Sequence, residues 1–278
     1  MFLIVFKYIP MGGLVMAFQD FDIFDGFSAS QWVGFQNFRT LFETSEFSAV
    51  VRNTLMISIY KILFFFPMPI ILAIILNETA NVFYKRTIQT IVYLPHFLSW
   101  VVVGGILFEL FSSSGTINKL ISIMGGERVR FLMTPEYFRS IVVGSAVWKE
   151  VGYSAIVFLA AISSVDPSLY EASVVDGAGR WKQILHITLP SISPIIVIML
   201  LLRVGTVMDA NVEQIMALYN PTVYSTGDVI GTYIYRMGLA NMQYSFAAAA
   251  GMFNSIVSFT LVFICNGLSR KFAGRSLW

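Results

Sequence analysis

Long apolar runs recur along this chain at 53–76, 88–111, 138–162, 184–208 and 244–268. A bilayer core of roughly 30 Å takes about 20 helical residues, and each run exceeds that length. Backbone N–H and C=O groups in hydrocarbon must be paired within the protein, so only helices and closed barrels can span. These predominantly apolar runs read as spanning helices. Composition agrees: 56% of the 278 residues are hydrophobic and 12% charged, against roughly 25% charged in ordinary globular domains. Mean hydropathy is +0.73. The fold class is therefore an all-α membrane protein.

Residues 1–18 form a shorter apolar run containing Lys7 and Pro10. Counted as the first helix, it brings the expected total to six, and the sequence is expected to begin part-way along that helix. The segments between the runs divide by character. Those at about 19–52, 112–137 and 209–243 are long, polar and aromatic and are expected outside, while 77–87 is read as a short polar connection. Pro67 and Pro69 are expected to kink the second span, Trp148-Lys149-Glu150 to interrupt the fourth, and Pro190 and Pro194 to break the fifth near its start. The whole chain, 1–278, reads as a single transmembrane domain with no soluble domain of useful size.

The segment 166–190, DPSLYEASVVDGAGRWKQILHITLP, is a polar, turn-containing insertion between two apolar runs. Asp166 can cap a helix whose first residue is Pro167, because proline's fixed φ and missing N–H suit that position. That helix should end near Asp176, with Gly177 in the left-handed C′ position. Gly179 loosens the chain further, and a second helix can begin around Arg180. Leu169, Ala172, Ser173 and Asp176 share one face at helical spacing, and Glu171 lies with Val175 on the next. Small residues beside a carboxylate fit a docking surface; an amphipathic loop lying on the bilayer surface fits the same spacing equally.

Glu171-Ala172, Asp176-Gly177-Ala178, Ile187, Leu189 and Pro190 resemble the EAA loop of binding-protein-dependent ABC importer permeases. Ser173 stands where the third motif residue is usually Ala, and Ile184 where an aromatic is common. Further stretches are similar, in order, to sugar-importer permeases acting on oligosaccharides from complex polysaccharides. They are Phe6-Lys7-Tyr8-Ile9-Pro10, Ala17-Phe18, the W-x-G-x-x-N-F segment from Trp32 to Phe38, Tyr93-Leu94-Pro95-His96-Phe97 and Trp148-Lys149-Glu150-Val151-Gly152. Glu213-Gln214, Tyr219-Asn220-Pro221, Gln243-Tyr244-Ser245-Phe246 and the ending Ser276-Leu277-Trp278 continue the likeness. The resemblance implies a type I ABC importer permease fold in a bacterial cytoplasmic membrane, with 163–190 as a cytoplasmic coupling helix. It implies as partners a second homologous permease, two ATPase subunits and an extracellular or periplasmic sugar-binding protein. The substrate it implies is an oligosaccharide.

With that loop inside, Lys85, Arg86, Arg180, Lys182, Arg270, Lys271 and Arg275 fall on the cytoplasmic side in short segments, which the positive-inside rule favours by density. No GxxxxGK[ST] phosphate loop is present, so ATP and magnesium belong to partner chains and this chain is expected to be a non-catalytic transport subunit with no cofactor of its own. Two separated histidines, His96 and His186, and the single Cys265 offer no metal site, nucleophile pair or internal disulfide. A net charge of +2 spread along the chain gives no basis for nucleic-acid binding. An ion-gradient-driven transporter is the alternative, although no internal repeat is visible and the loop would be unexplained.

The coupling residues expected from the resemblance are Glu171, Ala172, Ser173, Asp176, Gly177, Ala178 and Arg180. Candidates for the substrate path are Trp148, Lys149, Glu150, Tyr153, Asn211, Glu213, Gln214 and Tyr219, with Tyr224 beside them. Ionisable groups in spans are expensive and face a cavity or a partner, and Lys61 and Arg203 belong with Lys149 and Glu150 here. Either they line the sugar path, or they form structural ion pairs. Lys149 and Glu150 are about 100° apart on a helix and need not pair with each other.

Overall fold

The computed structural model describes residues 1–273, with side chains through Lys271. The Ser276-Leu277-Trp278 ending and Arg275 lie outside the described residues. Among the described residues, five helical stretches are long and apolar enough to cross a membrane: Ser45–Glu78, Trp100–Ile123, Pro135–Ser163, Arg180–Gly205 and Tyr244–Lys271. A shorter apolar helix, Ile4–Phe18, precedes them. In chain order we label α1 (Ile4–Phe18), β1 (Gln19–Asp20), β2 (Gln31–Trp32), α2 (Gln36–Glu43), α3 (Ser45–Glu78) and α4 (Val82–Tyr93). Then follow α5 (Trp100–Phe111), α6 (Thr116–Ile123), α7 (Pro135–Ser163), α8 (Pro167–Val175) and α9 (Arg180–Gly205). The last are α10 (Val212–Leu218), α11 (Ile230–Tyr235) and α12 (Tyr244–Ala273).

The described residues divide into two compact units, one of residues 1–58, 104–139 and 206–261, the other of 59–103, 140–205 and 262–273. In the first, Leu41, Phe47, Val50, Met208, Ile230, Tyr233 and Ala250 form a buried apolar cluster. The W-x-G-x-x-N-F segment closes the end of α1 there. Gln19 and Trp32 pair antiparallel, and Gly34 adopts φ +61 while its N–H donates to the Phe18 carbonyl at 3.0 Å. Buried Asn37 donates from Nδ2 to the carbonyls of Ala17 (3.0 Å) and Gln19 (2.8 Å). The asparagine thus satisfies acceptors where helical bonding stops. In the second unit Ala73, Ala155, Phe158, Ile162 and Ile192 make the buried cluster.

Several boundaries differ from the sequence reading, each for a local reason. Residues 82–87 are helical rather than a connection, since Asn81 caps α4 by accepting from the Tyr84 N–H at 3.1 Å. The third span is instead discontinuous: α4 ends in a 3-10 turn at Leu94–Phe97, Leu98 is extended, and α5 begins at Trp100. The fourth is uninterrupted through Trp148-Lys149-Glu150. The fifth runs through Pro190 and Pro194, widened to a π turn at Ile184–Thr188. Ser193 Oγ donates at 2.8 Å to the Pro190 carbonyl, the group that Pro194, lacking an N–H, cannot serve. A second π turn, Lys61–Phe65, precedes Pro67 in α3.

Candidate functional site

The loop between the fourth and fifth long helices is built from its caps. Asp166 Oδ1 accepts from the Ser168 N–H at 2.9 Å, opening α8 at Pro167. That bond holds the exposed Asp166 carboxyl below its ordinary value. At the other end Gly177 has φ +75, its N–H donates to Val174 O at 3.0 Å, and the Ala178 N–H donates to Ser173 O at 2.8 Å. This pair of bonds is the Schellman arrangement, and it satisfies carbonyls the helix end leaves open. A Cβ on Gly177 would meet nothing within 4 Å. Glycine is therefore required by backbone conformation rather than by crowding.

No residue of α8 is buried. Glu171, Ala172, Asp176 and Gly177 lie at the surface beside exposed Val174 (64%) and Val175 (88%), with Trp181 (78%) on α9. Ser173 turns inward: its Oγ donates to Tyr170 O at 2.7 Å and accepts from Gln183 Nε2 at 2.9 Å. Arg180 reaches Glu78 at 3.2 Å, an exposed pair of little energetic weight. Glu78, Tyr170, Glu171, Val174, Ala178, Arg180 and Gln183 are among the residues lining an open groove of about 570 Å³. The result is a short capped helix presenting one carboxylate and several apolar side chains.

A second constellation sits at the break between α4 and α5. Lys149, on α7, is buried; its Nζ donates to the His96 carbonyl at 2.9 Å and to Glu150 Oε1 at 2.8 Å, and it lies 5.1 Å from the Trp100 ring centre. Glu150 Oε2 meets His96 Nδ1 at 2.7 Å, and the His96 ring stacks on Tyr153 at 3.8 Å. Lys149 and Glu150 thus do pair, because Glu150 bends to a partner they share. His96, read as isolated, is that partner. A Cβ on Gly152 would stand 2.1 Å from the Val92 carbonyl oxygen, so the α7 and α4 backbones touch there. Trp148 is half exposed. Arg203 lies 5.2 Å from the Phe65 ring, and Lys61 is buried.

The remaining candidates belong to the other unit. Asn211, at φ +59, caps α10 by accepting from the Gln214 N–H at 3.4 Å. Gln214 is fully buried, whereas Glu213 is exposed. Tyr219 stacks on Tyr224 at 4.7 Å, and burial together with the Tyr224 hydroxyl pushes its phenol above the ordinary value, so it stays neutral. Sequence reasoning missed the network around them. Arg236 bonds Asp228 at 2.6 Å and Glu46 at 2.8 Å, while Arg139 donates to Asn53 Oδ1 at 2.8 Å and to Thr226 O at 3.2 Å. Arg236 falls in the segment 209–243 and Arg139 at the start of the fourth apolar run, but their partners are remote in sequence. Among the described residues, no group of three His, Cys, Asp or Glu is placed to hold a metal ion.

These features define a multi-pass helical membrane protein. Over residues 65–273 the chain matches the model of the binding-protein-dependent transport system inner membrane component family, and it belongs to that family. It is 41% identical to the polygalacturonan/rhamnogalacturonan transport system permease protein YteP of Bacillus subtilis, over all of this chain and 87% of that protein. A chain of the bacterial ABC transporter that imports the acidic polysaccharide alginate superposes with TM-score 0.92 at 46% identity, covering 98% of this chain and 92% of that one. The same TM-score, at 44% identity and 99% and 92% coverage, holds for the bacterial alginate ABC transporter in complex with an alginate pentasaccharide-bound periplasmic protein. The chain is thus a permease component of a sugar or polysaccharide ABC importer, with the type I importer permease fold.

Proposed function

We propose that this chain translocates oligosaccharides of an acidic polysaccharide, driven by ATP hydrolysis on partner subunits. The exposed, doubly capped helix α8 carries the reading: it offers Glu171 and bare apolar side chains to another protein at the end of a long spanning helix. Glu171 pairs with a basic residue in an ATPase cleft, and Gly177 forms the elbow of the coupling loop. Two ATPase subunits hold ATP and magnesium, and a second homologous permease completes the path. An external sugar-binding protein delivers the substrate. Closure of the ATPase dimer draws the coupling helices together and rocks the permeases between inward- and outward-facing states, a rigid-body change biased by ligand. The relatives that act on alginate and on polygalacturonan or rhamnogalacturonan support the acidic sugar class.

The test is uptake into proteoliposomes holding the complete complex, with labelled oligogalacturonate or oligoalginate presented on the binding protein. ATP-dependent accumulation, unaffected by collapsing ion gradients, is expected. Accumulation driven by a proton or sodium gradient without ATP would overturn the reading in favour of a secondary transporter.

A further inference from the structure

A loop with a glycine elbow and an outer helix lacking any buried residue has little apolar burial to keep its two legs together. Four side chains supply the tie. Gln183, buried near the start of α9, donates from Nε2 to Ser173 Oγ at 2.9 Å, and Ser173 donates onward to Tyr170 O at 2.7 Å. The Tyr170 hydroxyl meets Thr188 Oγ1 at 3.0 Å, and Thr188 is buried in the π turn of α9. The two links join Gln183 and Thr188, more than one helical turn apart on α9, to Ser173 and Tyr170 on neighbouring positions of one α8 face, so they resist both sliding and splaying. Gly177 lies outside the tie, with open space around its Cα.

We propose that Gln183 and Tyr170 are positioning residues that make α8 and the start of α9 move as one body. A displacement received at Glu171 then passes into the Arg180–Gly205 helix instead of being lost as bending at Gly177. The inference rests on the ATPase-docking reading above. Neither residue needs to touch the ATPase or the sugar for this role. Polar ties suit it, because a hydrogen bond fixes direction as well as distance, whereas apolar contact leaves two short helices free to roll.

The test compares Tyr170→Phe, which removes one oxygen, with Tyr170→Phe/Gln183→Leu and Ser173→Ala/Gln183→Leu in the complete reconstituted complex. Sugar transported per ATP hydrolysed is the readout, with subunit composition and amide hydrogen exchange of residues 173–178 measured alongside. Losing both links is expected to lower that ratio at least about fivefold, the factor carried by a single net hydrogen-bond contribution. Faster exchange in 173–178 is expected to accompany it. Ser173→Ala/Gln183→Leu removes both polar partners and substitutes an apolar contact, so it should fall less than the variant that leaves Ser173 without its donor. An unchanged ratio in Tyr170→Phe/Gln183→Leu, with ATP-driven uptake intact, overturns the tie alone. Wild-type uptake indifferent to ATP overturns the functional reading and the tie with it.

Discussion

Glu150→Ala is the most informative single perturbation of the intramembrane cluster. The carboxylate holds Lys149 with one oxygen at 2.8 Å and His96 with the other at 2.7 Å. Without it, Lys149 keeps the His96 carbonyl and the face of Trp100 but has no anion, at a site 6% exposed in its side chain. Breaking a buried pair from one side costs about 3–5 kcal/mol, while removing both partners costs far less. The 24% exposure of the Glu150 side chain lets water reach the vacated place, which brings the expected loss to about 2–3 kcal/mol. Thermal unfolding of the purified protein in detergent, followed by tryptophan fluorescence, should rank Glu150→Ala below both wild type and Lys149→Met/Glu150→Ala. Glu150→Gln, which keeps the shape and one acceptor, should lose about half as much. If the single losses for Lys149→Met and Glu150→Ala add in the double variant to within about 0.5 kcal/mol, the pair is not coupled and the reasoning fails.

Three further expectations follow from particular positions. Gly177→Val puts a β-branched residue at φ +75, a conformation costing about 1–2 kcal/mol for an ordinary L-residue, and should uncouple ATP hydrolysis from transport; full transport per ATP in that variant would remove the elbow's role. Gly152→Ala drives a methyl into the Val92 carbonyl and should destabilise by about 1–3 kcal/mol through overpacking; an unchanged melting temperature would contradict the close α4–α7 contact. Asp166 has a folded pKa below its unfolded value, so its contribution to α8 is present above the ordinary carboxylate range and is lost as pH falls through the folded pKa. Amide exchange at 168–170 should accelerate over that window in wild type, and an Asp166→Asn variant should show no such step.

The spans were legible because hydrocarbon admits so few structures, and the loop because its signals are local: Asp166 before Pro167, and Gly177 where α8 stops. What escaped was set by contacts distant in sequence. Nothing near Trp148-Lys149-Glu150 announces that His96, 54 positions away, shares the carboxylate, and the 3-10 turn that exposes its carbonyl is visible only as Pro95. Pro190 and Pro194 misled for a related reason: a π turn and the Ser193 hydroxyl absorb what proline removes. The Asp228–Arg236–Glu46 network joins residues up to 190 apart in number, which periodicity cannot pair. Ser173 was placed correctly on a helix face, but that face meets Gln183 rather than open surface.

The most direct test of the central claim is to tag this chain, extract it gently from its own membrane and quantify what co-purifies, with Glu171→Ala in parallel. Recovery of an ATPase and a second permease with the wild-type chain, and a marked loss of the ATPase with Glu171→Ala while the second permease is retained, is the predicted result. An ATPase retained equally by both would contradict the coupling role of Glu171, and recovery of the chain alone, active in gradient-driven uptake, would contradict the account as a whole.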